Sequence, residues 1–115
     1  MSNDLDNTLT ALADPTRRRV VELLRERPRR AGELAEVCGM SGPAMSRHLR
    51  VLRTSGLVAV EEEQSNRDAR LRVYWLRPDP FISLQTWLDQ VQAFWSDQLD
   101  SFKHYAEHTQ KGKQT

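Results

Sequence analysis

Apolar residues recur along most of the chain at helical spacing, in segments separated by proline, glycine and short polar runs. Leu5, Leu9 and Leu12 stand at i, i+4 and i+7, which predicts a short helix from about Leu5 to Ala13 with one apolar stripe. Asp14-Pro15 restarts the chain, because a carboxylate accepts from the free N–H groups of a first helical turn and proline needs no N–H there. A second helix is predicted from Pro15 to about Glu26, with Val20, Val21, Leu23 and Leu24 inward, until Pro28 stops it. Arg27-Pro28-Arg29-Arg30 reads as a short basic connection. Ala31, Leu34, Ala35 and Cys38 mark a two-turn helix that Gly39 can close in a left-handed conformation. Ser41 is the N-cap of the next helix, with Pro43 in its first turn, Met45, Leu49 and Leu52 as its apolar stripe and Gly56 as its stop.

The period then changes. Leu57-Val58-Ala59-Val60 and Leu71-Arg72-Val73-Tyr74-Trp75-Leu76 are β-prone, and Gln64-Ser65-Asn66-Arg67-Asp68 between them has turn chemistry, so a hairpin with its tip near Asn66 is predicted. Pro78 and Pro80 break the pattern. From Ile82 onward Leu84, Leu88, Val91, Trp95, Leu99, Phe102 and Ala106 step by four or three residues through a long helix ending near His108, beyond which the tail should fray. Two short helices joined by a glycine-containing turn and followed by a hairpin predict a winged helix-turn-helix. The expected fold class is mainly α with a small β-hairpin (α+β), in one domain over 1–115: helix-turn-helix about 31–54, wing about 57–77, terminal helix about 82–108.

Composition narrows the possibilities. At 115 residues and 38% hydrophobic content the chain can bury one core, which excludes a multidomain enzyme, and no apolar run reaches the roughly 20 residues of a membrane-spanning helix. One cysteine and a polar, acidic start, Met1-Ser2-Asn3-Asp4-Leu5, predict a cytoplasmic protein without internal disulfides. The net charge of +1 hides an asymmetry. Residues 15–60 carry ten Arg against four Glu, net +6, whereas 1–14 are net −3 and 61–115 are net −2. Clustered cations are a footprint for a polyanion, and 14 of the 17 are Arg, which can fork onto phosphate or guanine edges, although base composition of a genome can favour Arg equally. Three histidines, one cysteine and scattered carboxylates form no nucleophile-base pair or glycine-rich phosphate loop, so no enzyme is expected.

Ala11-Leu12-Ala13-Asp14-Pro15-Thr16-Arg17-Arg18, Glu33-Leu34-Ala35, Ser46-Arg47-His48-Leu49-Arg50-Val51-Leu52 and Gly56-Leu57-Val58 together resemble the ArsR/SmtB family of bacterial winged-helix repressors over roughly residues 9–77. The resemblance implies a homodimer with N- and C-terminal dimerisation helices on double-stranded operator DNA, often at its own promoter. In that setting Pro43, Ser46, Arg47 and Arg50 occupy the outer half of the second helix of the unit, where Arg47 can read guanine and Ser46 base edges or phosphate, and Ser41 at the helix start can donate to phosphate. His48 is read mainly as a packing residue. Arg29 and Arg30, with Arg17 and Arg18 as weaker candidates, could hold the DNA backbone, and Arg67 could meet it at the wing tip. The wing departs from the family pattern: Glu61-Glu62-Glu63 leads into it and it has no glycine, so the Glu run is read as the solvated outer face of a strand.

Metal sensing, which the resemblance also suggests, lacks its usual residues. No Cys-x-Cys pair follows Glu33-Leu34, and Cys38 falls on the apolar face, so it is expected in the core. The late half of the family's other site survives only as His104, Glu107 and His108, leaving Zn²⁺ as the one candidate ion; no cofactor is expected and no small-molecule effector is named. Trp87, Phe94, Trp95, Phe102 and Tyr105 crowd five of eight aromatics onto the terminal helix. Leu5, Leu9, Trp87, Val91, Phe94, Trp95 and Phe102 are therefore the expected dimer interface. The alternative is a winged-helix interaction module that docks a partner protein through the same aromatic helix.

Overall fold

The computed structural model describes residues 2–64 and 70–113, with side chains over 4–62 and 71–109. It resolves into two compact units, residues 1–83 and 84–115. The first begins with helix α1, Ser2–Leu12, and helix α2, Pro15–Glu26. Asp14 lies between them in extended backbone, and its Oδ1 accepts from the N–H groups of Thr16 at 2.8 Å and Arg17 at 3.1 Å, so the predicted N-cap forms. α2 buries Val20, Leu23 and Leu24, while Val21 is only partly covered.

Arg29 and Arg30, expected as part of a connection, form a two-residue strand β1. Helix α3, Ala31–Val37, and helix α4, Gly42–Thr54, then build the helix-turn-helix. Both helices end in the same way. Gly39 (φ 65°) and Gly56 (φ 79°) take the left-handed conformation, which lets Met40 N–H reach Ala35 O and Leu57 N–H reach Leu52 O, satisfying carbonyls that the helix ends leave free.

Strand β2, Val58–Gln64, and strand β3, Arg70–Leu76, pair antiparallel from Val58↔Leu76 to Gln64↔Arg70. β1 adds to the other edge of β3 through Arg29↔Tyr74 and Arg30↔Val73, so the expected hairpin is a three-stranded sheet in the order β1-β3-β2. The Glu run lies inside β2, on a strand as expected. Alternation along a strand puts Glu61 and Glu62 on opposite faces, which corrects the reading of all three carboxylates as one outer face. The predicted tip, with Asn66 and Arg67, lies outside the described residues.

Ala11, Val20, Leu23, Leu24, Leu34, Ala35, Met45, Leu49, Leu52, Leu57, Val58 and Tyr74 form a single buried cluster, to which α1, α2, α3, α4, β2 and β3 all contribute. Cys38 is half-buried at its edge rather than inside it. Helix α5 runs from Pro78 to Lys113. It starts before the predicted Ile82 because Pro78 and Pro80 fall in the first turn, where the missing N–H groups have no helical partner to lose. It also extends past His108, where fraying was expected. The second unit is the body of this helix. Phe94, Trp95, Leu99 and Phe102 are 61%, 59%, 61% and 70% exposed there, and Trp87 is 38% exposed. Among the described residues no helix is long and apolar enough to cross a membrane.

Candidate nucleic-acid interface

The inner face of α4 is fixed by Met45, Leu49 and Leu52, each no more than 1% exposed. The helix geometry then leaves Pro43, Ser46, Arg47 and Arg50 outward, and all four are exposed, as is Ser41. Ser41 Oγ accepts from Ala44 N–H at 3.3 Å, which makes it the cap of α4, and its hydroxyl proton is still available to an acceptor. The polar face is thus carried on a rigid, fully packed support.

Arg17 and Arg18 make contacts within the chain that the sequence did not predict. Arg17 Nε donates to Ala11 O at 2.6 Å and its Nη2 to Thr10 O at 3.2 Å, while Arg18 Nη1 donates to Leu12 O at 2.7 Å. Two guanidiniums thus donate to carbonyls at the C-terminal end of α1, where Thr10 O also accepts from Ala13 N–H at 3.2 Å and the helix dipole favours positive charge. The same Arg17 reaches α4, with Nη1 3.4 Å from His48 Nδ1, and that nitrogen is 3.9 Å from Asp14 Oδ1. His48 is half-buried, in line with a packing role. The Arg17 N–H, helped by that of Thr16 and by the positive groups nearby, holds the Asp14 carboxyl below its ordinary range despite partial burial.

Arg29 requires a correction as a backbone-contacting residue. Its side chain is 10% exposed, with Nε donating to Leu23 O at 3.1 Å, Nη2 paired with Glu26 at 2.8 Å and Nη1 with Glu33 at 3.0 Å. Glu33 also accepts from Arg27, and that hydrogen bond first, then the one from Arg29, keeps its carboxyl below the usual range. Arg30, the next residue on the strand, is exposed. Arg67 lies outside the described residues.

Sequence reasoning missed a cleft of about 100 Å³ between α4 and β3, lined by Ser46, Leu49, Arg50, Arg53, Arg72 and Tyr74. Ser46, Arg50 and Arg53 stand at i, i+4 and i+7, a signal visible in the chain, whereas their proximity to Arg72 depends on the tertiary packing of β3. Arg72 also pairs across the strands, with its Nε 3.7 Å from Glu62 Oε1. As for a metal, among the described residues no three His, Cys, Asp or Glu side chains converge on a common point. His104 and His108 stack at 4.0 Å between ring centroids, and His108 Nδ1 is engaged with His104 O at 3.1 Å. Within one chain this pair does not make a zinc ligand set, which needs three or four donors around one centre.

A short helix, a glycine-closed turn, an outward polar helix and an adjoining antiparallel hairpin define a winged helix-turn-helix DNA-binding domain. The family described as a helix-turn-helix domain matches residues 12–61. The HTH-type transcriptional regulator Rv2034 of Mycobacterium tuberculosis is 40% identical over 97 residues, covering 84% of this chain and 83% of that protein. The transcriptional repressor SdpR of Bacillus subtilis is 34% identical over 55 residues, 48% of this chain and 61% of its own length. Among solved structures, the ArsR family transcriptional regulator RHA00566 superposes with a TM-score of 0.71 at 30% identity, covering 84% of this chain and 94% of that one. The chain belongs to the ArsR family of transcriptional regulators, and its relatives are regulators rather than enzymes.

Proposed function

We propose that this protein is a homodimeric repressor that binds an inverted-repeat operator, its own promoter included, and acts by blocking access of the polymerase. The observation that carries the reading is the outward row Ser46, Arg47 and Arg50 on a helix whose opposite side is sealed in the core. Arg47 forks onto guanine O6 and N7 in the major groove, Ser46 and Arg50 meet neighbouring edges or phosphates, and Ser41 and Arg30 hold the backbone. The exposed aromatic residues of α5, together with Leu5, Leu9 and the half-buried Val91, supply the contact between two copies. SdpR, named as a repressor, supports the sign of the regulation.

Selection of duplexes bound by the full-length chain from a random library tests this reading. The expected product is an inverted repeat whose half-sites are roughly 34 Å, one helical turn, apart. Failure to enrich any sequence would remove the DNA-reading role and leave the aromatic helix as a docking surface for another protein.

A further inference from the structure

The side of α4 that faces β3 carries Ser46, Arg50 and Arg53, and β3 brings Arg72 and Tyr74 to the other wall of the cleft. Arg47, about 100° around the helix from Ser46, is not part of this lining. Three guanidiniums, a serine hydroxyl and a tyrosine line a space of about 100 Å³, and none of the described lining residues is acidic. One water needs only about 10–15 Å³, so the cleft admits a group of several heavy atoms. Its fixed donors and net positive charge match a tetrahedral oxyanion with several acceptor oxygens and no donor. Converging cations repel each other until an anion sits between them, and a DNA phosphate that does so also releases condensed counterions.

We propose that this cleft seats one phosphodiester of the DNA backbone, with Arg53 and Arg72 as its charged anchors, and so sets the depth and angle at which α4 enters the groove. The proposal rests on the reading of α4 as the DNA-recognition helix. A groove is bordered by backbone, so a helix that turns Arg47 toward the bases turns its wing-facing side toward phosphates. Tyr74 is 5% exposed and anchored in the core, which gives the β3 wall a fixed position. Glu62, 3.7 Å from Arg72, competes with the phosphate for that guanidinium.

The test is a set of anisotropy titrations of the full chain on its selected operator and on an unrelated duplex across a salt series. Arg53→Gln and Arg72→Gln should each weaken both duplexes by the same factor, roughly three- to tenfold at 0.1 M salt, and each should reduce the slope of log affinity against log salt by up to about 0.9 for each subunit on the DNA. Arg53→Lys keeps the charge and should restore the slope. Glu62→Gln should tighten binding in the native background, and Arg72→Gln should abolish that gain. Thermal melts identify any variant that has lost its fold, in which case the Lys and Glu62 variants decide alone. Salt slopes unchanged from the native chain would overturn the seat, as would losses confined to the operator. Inorganic phosphate that occupies the cleft at constant ionic strength while those slopes stay native would assign it to a free anion and equally overturn it. A native chain that binds no duplex would instead remove the underlying DNA-reading role.

Discussion

Arg29 and Arg30 are neighbours of one residue type with opposite surroundings, one buried among Leu23 O, Glu26 and Glu33 and the other exposed. Composition cannot separate them, because a strand of two residues has no periodicity to reveal which side chain points inward. Arg47 was legible, since Met45, Leu49 and Leu52 fix the inward side of α4 by spacing alone. Arg47→Ala should weaken operator binding by about 1–3 kcal/mol and relax base preference, whereas Arg30→Ala should weaken all duplexes alike. Titration against operator and scrambled DNA separates the two outcomes; equal losses for both variants would mean that another face reads the bases. Asp14 permits a prediction in pH. Its carboxyl is held below the ordinary range by the N–H groups it caps and the positive groups beside it, so the folded state binds that proton less readily than the unfolded state. The stability it contributes is complete above the unfolded carboxylate range, roughly pH 4, and is lost as the pH falls through the lowered folded value. Asn also caps helices but carries no charge. Asp14→Asn should therefore lower the melting temperature near neutrality and flatten its fall toward acid, as followed by circular dichroism from pH 7 downward.

Strong periodic signals made the helices legible as elements, and the Gly39 and Gly56 closures follow from the one residue type that tolerates their backbone. The third strand was not legible, because β1 exists only where β3 offers it an edge. The start of α5 was misplaced for the opposite reason: two prolines that end a helix from inside also suit its first turn. The α4–β3 cleft joins residues 19 to 28 positions apart, and no local pattern reports such a meeting. The role of β1 can be checked through the residue that locks it. Arg29 ties the strand to the end of α2 and to α3, so Arg29→Met keeps the aliphatic stem while removing the hydrogen bonds. It should reduce the unfolding free energy by about 1.5–3 kcal/mol and leave the DNA affinity of the folded protein unchanged. Chemical denaturation and an anisotropy titration of the same sample measure the two quantities. A loss of affinity with unchanged stability would restore Arg29 to the DNA surface.

At the scale of the whole molecule, positive charge is concentrated in residues 15–60 while exposed aromatic area is concentrated on the body of α5. The two features call for different partners. In the proposed reading phosphates answer the first and a second copy of the chain the second, since large aromatic side chains bury roughly 150–250 Å² each when covered. Trp95, Leu99 and Phe102 repeat at i, i+4 and i+7, and all three are more than half exposed. A contact between two such helices would link two copies of α4, so that the second half-site is met at a high local concentration rather than from bulk solution. Linkage of that kind raises affinity by about 10²–10⁴ without any new contact to DNA. Trp95→Glu combined with Phe102→Glu places charge on the stripe while leaving the core of residues 1–83 untouched. The double variant should sediment as a monomer at micromolar concentration, lose about a hundredfold or more on the inverted repeat, and bind an isolated half-site as the native chain does. Sedimentation velocity and paired titrations on full and half operators provide these readings. A native chain that remains monomeric yet binds the inverted repeat tightly, or a double variant that still dimerises, would show that the aromatic face of α5 does not join the two copies.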